Sequence, residues 1–192
     1  MADPASAFAP AKRRLPTAAI VGIVCGSLAL LVVVAGAIVG FNIFTGIKRF
    51  QVPGTSMEPT IQAGETITAT VVDSGEYAPK HGDIVVFNAP DTWASTPSEQ
   101  QIKRVIALPG ERVACCDPQG QTQLAGKPLI EPYVKPGSNL RVSYDLTVPE
   151  GRLWLLGDNR SQSGDSLNHY QMTQDVTEST IPLSAIVAIV KR

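Results

Sequence analysis

The ten residues Gln101 to Gly110 read QIKRVIALPG, and they set two adjacent cations, Lys103 and Arg104, inside a run otherwise made of Ile, Val, Ala and Leu. A run this short, rich in β-branched residues and closed by Pro-Gly, predicts a buried strand. Successive side chains on a strand point to opposite faces, so Lys103 and Arg104 face opposite ways and at least one approaches the core. Burial disfavours the ammonium and turns a lysine into a base near neutral pH; arginine cannot follow it there. The plain alternative is a pair of edge cations snorkelling to solvent.

The same period of two recurs along the chain. TITATVV (residues 66–72) sets Ile67, Ala69 and Val71 on one face, and LRVSYDLTV (140–148) does so with Leu140, Val142, Tyr144, Leu146 and Val148. DIVVF, RLWLL and AIVAIV are shorter and more uniformly apolar, as buried strands are. Residues 88–100, with Pro, Ser, Thr and Trp93, read as an excursion loop. No amphipathic helix is predicted after residue 47, so this part of the chain is expected to be mainly β, built on antiparallel sheet.

Before it, no charged residue occurs from Leu15 to Ile47, a span longer than the roughly 20 apolar residues needed to cross a bilayer. Apolar sequence continues beyond the small-x-small stretch Ala35-Gly36-Ala37, which favours a retained anchor over a cleaved leader. The expected organisation is a cytoplasmic tail over 1–14, a transmembrane helix over 15–47 and one extracytoplasmic domain over 48–192. Lys12, Arg13 and Arg14 against Lys48 and Arg49 give the orientation a weak positive-inside bias. A net charge of −1 offers no basic field for nucleic acid. Of the three cysteines, Cys25 lies in the apolar run, while Cys115 and Cys116 are adjacent and form either a vicinal disulfide or two half-buried thiols. No Cys or His spacing suggests a metal, and no cofactor is expected.

Two further stretches carry hydroxyls. VPGTSMEPTI (52–61) brackets Ser56 between Pro-Gly and a second proline, which by itself signals only a turn. A serine needs a base to become a nucleophile, and the candidates are His81 in a polar turn, His169 in DSLNHY, and Lys103. RLWLLGDNRSQSGDS (152–166) ends a buried strand in a dense cluster of Asp, Asn, Arg and Ser.

GTSMEPTI, GDIVVF, IKRVIALPGERV and VPEGRLWLLGDNRSQSGDS, with GKPLIEPYV between boxes, follow one another in the order and with the character seen in bacterial type I signal peptidases. The chain resembles the shorter, single-anchor Gram-positive form of that family. The resemblance implies a serine endopeptidase with a β-sheet catalytic domain that cuts signal peptides from secretory preproteins after a small-x-small sequence. It implies Ser56 as nucleophile and Lys103 as general base, Ser163 as the hydroxyl that orients the lysine, and Arg104 with Asp158 as a supporting ion pair. Met57 and Pro59 are then expected substrate contacts. Gly54 stands where some relatives carry a hydroxyl for the oxyanion hole, so backbone or water must serve. Signal peptides and membrane lipid are the expected partners. Rival readings are a self-cleaving Ser-Lys peptidase of repressor type and an anchored binding protein. The chain departs from the pattern at Leu167, where the family usually has the arginine partner of Asp165. Asp165 is therefore expected to pair with Arg160 or to lie partly exposed, with Leu167 filling apolar space.

Overall fold

The structure, a computed structural model, describes residues 30–36, 46–73, 76–96, 99–139 and 141–191. The chain divides into Met1–Phe44 and Thr45–Arg192. In the first unit, residues 30–36 are helical. Among the described residues no helix is long and apolar enough to cross a membrane. The tail over 1–14 and most of the apolar run over 15–47 lie outside the described residues.

In the second unit the strands are β1 (Ile47–Gln51), β2 (Thr66–Val71), β3 (Ile84–Asn88), β4 (Gln100–Ala107), β5 (Arg112–Cys115), β6 (Gln123–Leu124), β7 (Lys127–Pro128), β8 (Tyr144–Thr147), β9 (Arg152–Leu156), β10 (Ile181–Pro182) and β11 (Ile186–Val190). They form a seven-stranded sheet in the order β1-β2-β11-β3-β4-β9-β10 and a four-stranded sheet in the order β7-β6-β5-β8. Every pairing is antiparallel, in line with the mainly β expectation. The folded unit starts slightly earlier than the expected boundary at Lys48, because Ile47 already pairs with Thr70 of β2.

Burial follows the sequence pattern. On β2, Ile67 and Ala69 are buried while Thr66 and Thr68 are exposed. On β3, Ile84 to Phe87 are all buried, because one face meets Met57, Ile61 and Val52 and the other meets Trp93, Val105 and Leu155. A third cluster joins the two sheets through Val113, Tyr144, Leu146, Trp154 and Leu156. Strand β8 covers only the second half of the predicted 140–148 run, although Tyr144, Leu146 and Val148 are buried on one side as expected.

The sequence predicts no helix after residue 47. Residues Ser166–Thr173 form a helix, α1, capped by Asp165, whose carboxylate accepts from the backbone N–H groups of Leu167 and Asn168. Its buried residues, Ser166, Leu167 and His169, crowd into the first turn and leave no apolar stripe, so hydrophobic periodicity could not announce it. Cys115 and Cys116 are joined as a disulfide.

Candidate active site

Ser56 sits in a chain of tight turns between β1 and β2. Ile61 N–H donates to the Met57 carbonyl at 2.9 Å, and both side chains are fully buried in the first core cluster. Those two anchors pin one side of the loop and leave the neighbouring Ser56 half-buried on the other. Met57 therefore differs from its expected part as a substrate contact: it holds the loop down and does not line the cavity beside Ser56. Pro59 is exposed and also lies outside that cavity.

Lys103 reaches the loop from β4. Its Nζ lies 3.3 Å from Ser56 Oγ and donates to the Ile102 carbonyl at 3.1 Å. The residue is only 4% exposed, so the snorkelling alternative does not describe it. Burial pushes the Lys103 amine below the usual lysine range, and the carboxylates of Asp165 and Glu99 partly oppose that shift. An amine held this way can take a hydroxyl proton without first losing a full solvent shell.

On the opposite face of β4, Arg104 is also buried. Its Nε and Nη2 donate to Asp158 at 2.8 and 2.6 Å, its Nη1 donates to the Gly82 carbonyl at 2.9 Å, and its guanidinium lies 4.0 Å over the Tyr133 ring. Asp158 also accepts from the Thr60 hydroxyl, which ties the ion pair back to the serine loop. The loop after β9 grips that loop a second time: Asn159 N–H donates to the Ser56 carbonyl at 2.9 Å and Asn159 Nδ2 donates to the Thr55 carbonyl at 3.2 Å.

Gly157 is the tightest point. A Cβ placed there would lie 2.6 Å from the Ser56 carbonyl oxygen and would also strike Ser163 Oγ. The absent side chain is what lets the β9 loop, the nucleophile candidate and the Ser163 hydroxyl meet. Nothing in the spacing of the sequence revealed this, since a glycine at a strand end reads as an ordinary terminator.

Asp165 overturns its expected pairing. It is 2% exposed and among the described residues no ion pair reaches it; its carboxylate instead accepts from the N–H of Gly157 at 3.0 Å and caps α1. Burial raises the Asp165 carboxyl, while those N–H donors, the Ser163 hydroxyl and the Lys103 amine hold it back. Arg160 bonds to Glu131 instead. Backbone donors convergent on one carboxylate meet its needs without a cation, which is why the missing arginine leaves no gap. Leu167 is buried in the third cluster, as expected. Replacing Asp165 with alanine strands the Gly157 N–H and uncaps α1, so Asp165→Ala is expected to lower unfolding stability by about 2–3 kcal/mol in urea titration.

The cavity in front of Ser56 and Lys103 has a volume of about 410 Å³. Its apolar wall includes Phe50, Val52, Val86 and Ile102, and Gly54 also lines it, with nothing within 4 Å of where a Cβ would stand. Trp93 and His169, whose rings stack at 4.1 Å, also line it. His169 thus shares the cavity, and burial lowers its imidazole, but the Ser56 hydroxyl is bonded to Lys103. His81 is an exposed loop residue bonded to Glu111 at 2.7 Å. Among the described residues no group of three His, Cys, Asp or Glu is placed to hold a metal.

Residues 25–191 match the family model of signal peptidase, peptidase S26. The chain belongs to that family, a family of serine endopeptidases. It is 30% identical over 190 residues to a Mycobacterium leprae protein named "Probable signal peptidase I", an alignment covering 73% of this chain and 65% of that one. It is 29% identical over 203 residues to the signal peptidase I of Mycobacterium tuberculosis, covering 83% and 68%. The chain thus spans about two thirds of the length of these relatives, 65% and 68%. Among solved structures, a signal peptidase I from Enterococcus faecalis V583 is similar at 26% identity and a TM-score of 0.45, over 60% of this chain and 98% of that one.

Proposed function

We propose that this chain is a membrane-anchored signal peptidase that cleaves secretory preproteins after a small-x-small sequence, with Ser56 as nucleophile and Lys103 as general base. The observation that carries the reading is the buried Lys103 amine 3.3 Å from Ser56 Oγ at the floor of a cavity walled by Phe50, Val52, Val86 and Ile102. The neutral amine takes the hydroxyl proton as Oγ attacks the scissile carbonyl. The resulting ammonium then gives that proton to the departing amine, leaving an acyl ester on Ser56. Water attacks the ester, its proton passing to Lys103, and the new carboxyl end leaves with Oγ restored to a hydroxyl. Backbone N–H at the serine loop supplies the oxyanion donor, since Gly54 has no side chain to contribute. Ser163, expected to orient the lysine, instead places its buried hydroxyl against Gly157, and the Lys103 amine is held by the Ile102 carbonyl, while the Arg104–Asp158 pair locks β4 to the two loops.

The apolar run over 15–47 is the proposed anchor, with the tail over 1–14 cytoplasmic and the β domain outside the membrane. Ser56 lies eight residues past Lys48, so even an extended chain at ~3.3 Å per residue holds it within about 26 Å of Lys48. By resemblance the site takes small side chains, and an extended preprotein segment suits a site flanked by strands. The test is cleavage of a preprotein, or of a peptide containing Ala-x-Ala, by the purified chain. Wild type is expected to cut at the small-x-small sequence and Ser56→Ala to lose cleavage altogether. Equal cleavage by Ser56→Ala would reject the reading.

A further inference from the structure

Between the third and fourth boxes runs EPYVK, Glu131 to Lys135, a stretch with no part in the chemistry described above. The structure lays it across the back of the site. Glu131 accepts from Arg160 Nη2 at 2.5 Å and from Nη1 at 3.2 Å. The Tyr133 ring supports the Arg104 guanidinium at 4.0 Å. Lys135 N–H donates to the Asp158 carbonyl at 2.9 Å, and Lys135 Nζ bonds to Glu58 at 2.8 Å, two residues after Ser56. Each contact lands on a different residue of the constellation around the dyad.

The Glu131 contact leads furthest. The side chains of Arg160 and Glu131 are 7% and 11% exposed, so this is a pair held out of water. From the same guanidinium, Nε donates to the Gly157 carbonyl at 3.0 Å. Gly157 in turn stands against the Ser56 carbonyl closely enough to exclude a Cβ. We propose that Glu131 is a positioning residue for the nucleophile, acting through Arg160 and Gly157, and that Glu131–Lys135 is the strap that keeps the dyad in register. This rests on the Ser56–Lys103 reading. Without Glu131, Arg160 is a buried cation whose remaining hydrogen bond among the described residues is to a carbonyl; it turns to water and releases Gly157, because an interior charge without a close counter-ion is costly. The serine loop then loses its backstop, and small displacements of a nucleophile are expensive in rate.

The test is steady-state cleavage of an Ala-x-Ala peptide by the full chain, with kcat expressed per active site counted by end-point titration with a serine-reactive phosphonate. That count removes any loss that comes merely from less folded protein. Glu131→Gln is expected to lower kcat per site about tenfold or more while KM stays within about twofold. Glu131→Asp, which keeps the charge, is expected to recover part of the loss. Glu131→Gln combined with Arg160→Met is expected to be no worse than Glu131→Gln alone, since both act through one contact. A wild-type kcat per site in Glu131→Gln overturns the proposal. Should that variant fail to accumulate, Glu131→Asp is judged by the same measure: a drop in kcat per site supports it, and none overturns it. Ser56→Ala separates the two layers. An inactive Ser56→Ala beside a fully active Glu131→Gln removes only the strap, whereas an active Ser56→Ala removes the dyad reading beneath it.

Discussion

Lys103→Ala is expected to lower kcat/KM on the order of 10⁴-fold, and Lys103→Arg to do nearly the same with the fold intact. The alanine variant removes the proposed base; the arginine variant keeps a cation but cannot give up its proton in the working range. The pH profile follows from the same site. Burial pulls the Lys103 amine down from the ordinary value of 10.5, and the amine must be neutral to act. Activity therefore rises with pH through the lowered value and levels off before the ordinary one. Asp165 and Glu99 favour the ammonium, so they shift that rising limb upward. Glu99→Gln is accordingly expected to move the limb slightly to lower pH, read from initial rates across a pH series. The linkage has a definite sign: the unfolded chain binds the lysine proton more readily than the folded one, so this group's contribution to stability grows as pH rises toward 10.5.

Gly157→Ala is expected to cost about 100-fold in kcat together with roughly 1–3 kcal/mol of stability. The new methyl would stand 2.6 Å from the Ser56 carbonyl oxygen and against Ser163 Oγ as well. Neither neighbour is the free end of a long side chain. One is backbone, held by Asn159 N–H at 2.9 Å, and the other is a short side chain buried in the site. The loop must shift as a whole, and Ser56 shifts with it. Kinetics and thermal unfolding on one preparation check both parts, and the rate is expected to suffer out of proportion to the stability.

How far the sequence reaches is clear from particular residues. Strands β2, β3, β4, β9 and β11 were legible because period-two alternation or uniform apolarity states directly which faces are buried. The opposed facing of Lys103 and Arg104 followed from the same rule, and the structure sets Ser56 on one side of β4 and Asp158 on the other. What alternation could not supply was distance along the chain. Ser56 and Lys103 are 47 positions apart, and they meet because Met57 and Ile61 pin one loop while the pairing of Val85 with Lys103 fixes the height of the other. The pairing of Asp165 with Arg160 failed for a related reason. Proximity in sequence suggested it, whereas Arg160 found a carboxylate 29 positions away at Glu131 and Asp165 was satisfied by backbone donors that no pattern of side chains displays. The brief helix α1 escaped because only its first turn is buried.

Ser56, on the proposed mechanism, is a nucleophile switched on by Lys103. The most direct measurement treats the purified chain with a small-x-small peptidyl phosphonate and maps the adduct by mass spectrometry across pH. One adduct is expected, on Ser56, forming faster as pH rises toward the mildly alkaline range and not forming in Lys103→Arg. An adduct on another residue, or an undiminished rate in Lys103→Arg, would contradict it.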